Sequence, residues 1–117
     1  RKEEIFDKYF AELSDIEELR FYKINNQENP VYWFTSLSCS KRDNLAEFLL
    51  EEGIQTRRFF YPLHLQPCYE DSPKINKNGE FSISKEVYDM GISLPSSYIL
   101  KDEEQDYVIE KIKKFFS

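Results

Sequence analysis

Residues 53–69 read GIQTRRFFYPLHLQPCY, and this stretch changes character twice in a way that organises the rest of the chain. Gly53 opens it, and a glycine is the natural left-handed residue just past a helix. Ile54 to Tyr61 (IQTRRFFY) then carries the branched and aromatic residues that suit a strand. Pro62 and Pro67 keep PLHLQPCY from becoming a regular element, because proline fixes its own φ and donates no backbone hydrogen bond. The stretch therefore predicts a helix ending at 53, a strand over 54–61 and an irregular apolar loop over 62–69. So apolar a loop is costly to leave in water, and a partner surface is expected over it.

Working back from Gly53, Leu45, Phe48 and Leu49 have the spacing of a helix facing inward over 42–52. Ser40 with Asp43 three residues on resembles a weak capping box at its start. Before it, Val31–Ser38 (VYWFTSLS) reads as a strand, Asn25–Pro30 as a turn, and Leu19–Ile24 as a short extended piece. Ile5, Phe6, Tyr9, Phe10, Leu13 and Ile16 make the stripe of an amphipathic first helix that ends near Ser14 or Asp15. Working forward, 71–79 reads as a polar loop, Ser84–Met90 as a short helix, and Ile92–Leu94 as a strand closed by Pro95. A last helix starts at Asp102, with Gln105 completing a capping box, and buries Val108, Ile109, Ile112, Phe115 and Phe116. This order predicts an α/β chain of the α+β kind, a small three- to four-stranded sheet, mainly antiparallel, covered by helices. Residues 1–117 form a single domain on this reading, a leading helix over 1–17 and a sheet-and-helix body over 31–117.

Composition narrows the function classes. The 117 residues carry a formal charge of -6, which argues against binding to a phosphate backbone through clustered Lys and Arg. Lys111, Lys113 and Lys114 complement the end of a helix dipole instead. Aromatic residues reach 16%, with ten Phe and eight Tyr, enough to build one core with few aliphatics. No apolar run approaches a membrane span. Cys39 and Cys68 are isolated thiols beside a single His, so a metal site has little support, and two free thiols suit a reducing cytoplasm. The chain begins at Arg1 and its one methionine is Met90, so a piece cut from a longer polypeptide is expected.

Chemistry concentrates in 53–69. His64, between Leu63 and Leu65, is either a half-buried ring satisfied by a backbone carbonyl or a donor aimed at a ligand. Arg57 and Arg58 alternate along a strand, so only one can face inward, where an Arg suits a phosphate or carboxylate, while an outward Arg is ordinary surface. A Cys68–His64 dyad is disfavoured because Pro67 breaks the helix that would pair them. No Gly-rich phosphate loop is present, and the carboxylates fall on helix faces. The residues alone thus point to a ligand-lid or interface loop, with no catalytic set.

The same stretch resembles the C-terminal small domain of the DegT/DnrJ/EryC1/StrS family of nucleotide-sugar aminotransferases. The resemblance extends through VYWFTSL (31–37), SKRDNLAEFLLEEG (40–53) and FSISKEVYDMGISLPSSYILKDEEQDYVIEKIKKFF (81–116). It is carried jointly by Gly53, Ile54, Thr56 and Arg57 of the strand, by Tyr61–Tyr69 of the loop, and by the GISLPSS turn at 91–97. It is nearest to perosamine synthase-like members, which act on 4-keto-6-deoxyhexoses. It departs from the family's pattern at Ser82 and Lys85, where proline and an acidic residue are frequent, and at Arg58, where proline is frequent.

The resemblance implies the small domain of a fold-type I enzyme that uses pyridoxal 5'-phosphate. The cofactor is held by a lysine of a large domain absent from this chain, so no catalytic residue is expected here. It further implies a parent that moves an amino group from glutamate to a nucleotide-linked keto-sugar, works as a homodimer in the cytoplasm, and is inactive as this fragment alone. His64, Arg57 and Tyr61 are the expected substrate contacts, and Ser96 and Ser97 are expected to shape the turn after Pro95. The reading from another class is a free-standing ligand-sensing or interaction module with a ferredoxin-like sheet.

Overall fold

The apolar stripe of the first helix acts as the floor of the core. In the computed structural model, which describes residues 1–71 and 81–117, α1 (Lys2–Leu13) buries Ile5, Tyr9 and Leu13 completely. α4 (Asp102–Phe116) lies against it with Val108, Ile109 and Ile112 inward. Gln105 is also buried, and its Nε2 donates to the Ile5 carbonyl at 2.8 Å. Tyr9 carries its hydroxyl to the Pro95 carbonyl at 2.9 Å, which lets a large ring be buried without orphaning a polar atom. Burial raises the pKa of that phenol well above its usual range.

Four strands form one antiparallel sheet among the described residues: β1 (Leu19–Phe21), β2 (Thr35–Cys39), β3 (Arg57–Arg58) and β4 (Gly91–Leu94), in the order β1-β2-β4-β3. The register pairs Leu37 with Ile92 and Thr35 with Leu94, placing these residues on one face. There they join Leu45 and Leu49 of α2 (Arg42–Glu51) and the buried residues of α1 and α4. The opposite face carries Ser36, Ser38, Gly91 and Ser93. Ser36 Oγ and Ser93 Oγ lie 3.0 Å apart, and Ser38 Oγ meets the Tyr22 hydroxyl at 2.5 Å. One face is thus apolar and helix-covered, the other lined with hydroxyls. α3 (Ser82–Met90) leads directly into β4.

The strands are shorter than the sequence predicts. The strand expected over 31–38 is Thr35–Cys39, and the one expected over 54–61 is Arg57–Arg58 alone. β2 begins at Thr35, opposite Leu94 at the end of β4, and reaches Cys39 through its pairing with Leu19 of β1. β3 pairs only at Arg57 and Arg58, opposite Ser93 and Ile92, and stops one residue short of each end of β4. Both capping boxes also differ. Lys41 is the N-cap of α2 and lacks a side-chain cap, because Asp43 is engaged by arginines instead. In α4 the cap shifts one residue toward the N-terminus: the Lys101 N–H donates to Glu104 Oε2 at 2.9 Å, and Gln105 turns into the core. The extended piece expected over Leu19–Ile24 is β1, three residues shorter at its end. The helices end within two residues of expectation, and the polar stretch over 71–79 falls, after Asp71, outside the described residues.

Two glycines are required for different reasons. Gly53, after α2, has φ 79°, a left-handed conformation that side chains resist. Gly91 has an ordinary φ, but a Cβ there would lie 2.5 Å from Phe59 Cγ and 2.6 Å from the Val87 carbonyl oxygen. α2 and α4 are joined at their ends by Glu52, which meets Lys111 at 2.8 Å and Lys114 at 3.7 Å. The hydrogen bond from Lys111 is the largest influence holding Glu52 below its ordinary pKa of 4.5.

Gly91→Ala should destabilise the chain by about 1–3 kcal/mol through overpacking. Gly53→Ala should cost about 1 kcal/mol through backbone strain. Asn should largely rescue position 53 and not 91, and urea denaturation of the four variants separates the two causes. Glu52 has a lower pKa folded than unfolded, so its contribution is present above 4.5 and lost as pH falls through the folded value. Glu52→Gln should therefore melt slightly below the parent at neutral pH, and the two melting curves should converge as the pH is taken below 4.5.

Candidate functional site

β3 aims its two arginines to opposite sides. Arg57 pairs with Ser93 and shares the hydroxyl-bearing face; Arg58 pairs with Ile92 on the helix-covered face. Neither is buried, so the inward position that alternation allows to one of them is taken by neither. A two-residue edge strand leaves both guanidinium groups in reach of water. Arg58 Nη2 reaches Asp43 Oδ1 at 2.8 Å, so its charge is paired. Arg57 has no ion-pair partner among the described residues.

Asp43 Oδ1 also accepts from Arg42 Nε at 2.7 Å. Arg42, which sequence reasoning passed over, is the one arginine among the described residues that is almost fully buried, at 4% exposure. Its Nη1 donates to the Tyr88 carbonyl at 2.9 Å and the Gly91 carbonyl at 3.2 Å. The guanidinium thus satisfies carbonyls left over where α3 ends and β4 begins, the position where a cation also complements the helix dipole. The only signal for it in the sequence was a basic residue at the start of a helix, where acidic ones are preferred.

His64 and Tyr61 are placed differently. Two 3-10 turns, Leu63–Leu65 and Pro67–Tyr69, carry the loop. The His64 ring is half-buried and stacks on Phe81, with centroids 4.9 Å apart. Tyr61 packs edge-on against Tyr88 at 5.3 Å. The rest of the loop is open: Phe60 is 80% exposed and Leu63 73%. Cys68 is exposed and Cys39 buried, both free, and burial raises the Cys39 thiol pKa.

Arg57 lines two adjoining concavities that His64 and Tyr61 do not reach. One, of about 400 Å³, is walled by Tyr22, Phe34, Ser36 and Phe59. The other, of about 380 Å³, is walled by Lys2, Trp33, Phe34, Ser96 and Ser97. Ser93 is shared by both, and no Asp or Glu lines either one. The structure therefore brings Arg57 together with aromatics, hydroxyls and Lys2, and leaves His64 and Tyr61 on a separate aromatic ledge. Among the described residues no group of His, Cys, Asp and Glu gathers as a metal site, and no helix is long and apolar enough to cross a membrane.

Truncating Arg42 to Met should cost about 2–4 kcal/mol, because the Tyr88 and Gly91 carbonyls lose their buried donor. Arg42→Lys should recover only part, since a point charge cannot span both carbonyls and Asp43. Arg57→Ala should change stability by less than about 0.5 kcal/mol, as an exposed substitution. Equilibrium unfolding of the three variants tests this ranking.

Comparison with known proteins extends beyond geometry. A GDP-perosamine synthase of Escherichia coli is 30% identical over 120 residues, spanning 100% of this chain and 31% of that protein. The GDP-perosamine synthase of Vibrio cholerae is 31% identical over 121 residues, spanning 99% and 32%. The chain thus spans about a third of the length of these curated relatives. Among solved structures, S. venezuelae DesV in complex with a ketimine intermediate superposes with a TM-score of 0.91 at 20% identity, over 100% of this chain and 31% of that one. An aminotransferase from Brucella abortus gives 0.83 at 24% identity, over 99% and 30%. These two likenesses establish the fold. The model of the DegT/DnrJ/EryC1/StrS aminotransferase family matches residues 1–113, and with these relatives it establishes that the chain belongs to that family.

Proposed function

We propose that this chain is the C-terminal small domain of an aminotransferase that uses pyridoxal 5'-phosphate to aminate a nucleotide-linked keto-deoxysugar, with glutamate as donor. The domain closes the active-site cleft over the substrate and is inactive alone. The observation that carries the reading is the exposed apolar loop around His64. A domain with so well satisfied a core, having no buried side-chain polar atom without a partner among the described residues, leaves Phe60, Tyr61, Leu63 and Leu65 open to water. Contiguous apolar exposure of this kind marks a surface that another body covers. The large domain of the same polypeptide is the occupant this reading assigns, and the parent is a homodimer.

The cofactor's chemistry is carbanion stabilisation, and its anchor must be a lysine whose amine is free to react. Lys8, Lys85, Lys111, Lys113 and Lys114 are in ion pairs, and Lys2 donates to backbone carbonyls, so none of these six offers a free amine. On this reading the cofactor belongs to the large domain, and this chain's own residues bind and orient substrate. His64 is assigned as a hydrogen-bond donor to the sugar or its diphosphate, Tyr61 as a wall of the pocket, and Arg57 as an anion contact.

In the full-length polypeptide, His64→Ala and Arg57→Ala should each raise KM for the nucleotide-sugar or lower kcat by about tenfold or more. Their melting temperatures should stay close to that of the parent. Unchanged kinetics with a large drop in melting temperature would assign His64 to structure alone. Transaminase activity from the isolated chain would overturn the division of labour between domains.

A further inference from the structure

The concavity between Lys2 and Arg57 has the makings of a binding site separate from the His64 ledge. The chain has 22 acidic and 16 basic residues, yet the walls of this hollow carry two cations and no carboxylate. Lys2 is held in place: its Nζ donates to the Trp33 carbonyl at 2.6 Å and to the Ser96 carbonyl. No carboxylate neutralises it among the described residues, and its third proton remains for a ligand. Ser96 is 7% exposed, and its Oγ accepts from the Thr35 N–H at 3.3 Å, which leaves its own proton to be donated. Ser93 on the same wall shares a hydroxyl contact with Ser36, so the pair has one donor proton spare. Arg57, cross-strand neighbour of Ser93, lines the same hollow without an ion pair among the described residues, and Trp33 and Phe34, stacked with centroids 4.7 Å apart, line it too.

We propose that this concavity is an oxyanion subsite, in which Arg57 supplies a two-pronged fork and Lys2 and the Ser96 hydroxyl complete the cradle. Its ligand is a carboxylate or a phosphate, because both present the paired oxygens that a guanidinium matches. Ser96 and Ser97 then do more than turn the chain after Pro95. Placing the subsite in a substrate's path rests on the aminotransferase reading, where the anion is either the carboxylate of the amino donor or the diphosphate of the sugar nucleotide. The binding of an anion does not rest on it.

The test is a titration of the isotope-labelled chain, followed by amide chemical shifts, with inorganic pyrophosphate and separately with glutamate. Sodium chloride at matched ionic strength is the control. Saturable shifts at Gln55, Arg57, Ser96 and Ser97 with either probe support the subsite, and the probe that binds more tightly identifies the source of the anion. Arg57→Gln should weaken binding about tenfold or more, Arg57→Lys should fall between, and Lys113→Gln, remote from the hollow, should bind as the parent does. Absence of saturable binding by both probes, or equal binding by Arg57→Gln, overturns the proposal. Should Lys2→Gln disturb the fold, Arg57→Gln still decides, since that side chain has no partner among the described residues. A full-length enzyme without transaminase activity would refute the functional reading and leave this site standing.

Discussion

β4 has a neighbour on each edge and side-chain cover on both faces, and the placement of almost every other element follows from how its four residues alternate. All four are buried. Ile92 and Leu94 point to the helices, where Leu37, Leu45, Leu49 and Ile112 meet them. Burying each such side chain is worth roughly 1.5–3 kcal/mol, which holds α1, α2 and α4 to one face. Gly91 and Ser93 point the other way. The absent side chain of Gly91 lets Phe59 lie against the strand, with Tyr22 beside it at 5.9 Å. A one-residue slip in the pairing of β4 would exchange the two sets, exposing the apolar pair and burying the serine among leucines.

The charged residues around β4 divide into those that hold the fold and those left available. Arg42 is buried in the join between α3 and β4, and Asp43 ties it to Arg58. A buried guanidinium is tolerated only when it is paired and its donors are used, and here backbone carbonyls and one carboxylate do both. Because this set anchors Arg58, it also sets the edge of the sheet from which Arg57 projects. Arg57 itself is free of such ties among the described residues; the hydroxyls beside it come from β2, β4 and the turn after Pro95, and the aromatics from the segments that flank β1, β2 and β3. The site is therefore a product of strand register, while its rigidity comes from the arginine one position before Asp43.

How much of this could be read beforehand varies with the kind of interaction. The helices were legible because their apolar residues recur at three and four positions, as Ile5, Tyr9 and Leu13 do, and Gly53 marked a helix end by the backbone conformation it alone takes easily. Strand lengths were not legible. VYWFTSLS and IQTRRFFY have strand composition throughout, but only Thr35 onward pairs in the first and only Arg57 and Arg58 in the second, and no local preference carries the register that decides this. Cap positions were off by one in α4 because Gln105 satisfied a capping pattern while its amide was needed by the Ile5 carbonyl 100 residues away.

The candidate site shows the same split. The order of motifs around Gly53–Tyr69 was enough to identify the family, since a family's motifs survive in local sequence, and the residue types at 57, 61 and 64 marked where ligand chemistry concentrates. Which arginine faces the hydroxyl-bearing side depended on whether residue 57 or 58 pairs with Ser93, and alternation alone allows either. The meeting of Lys2 with Arg57 and Ser96 joins residues from the two ends and the middle of the chain across a sheet. By itself, then, the sequence determined the helices, the antiparallel α+β class and the family, all of which rest on periodicity and local pattern. Only the tertiary structure decided the strand ends, the burial of Arg42 and the grouping of Arg57 with Lys2 apart from His64, because each depends on register between segments distant along the chain.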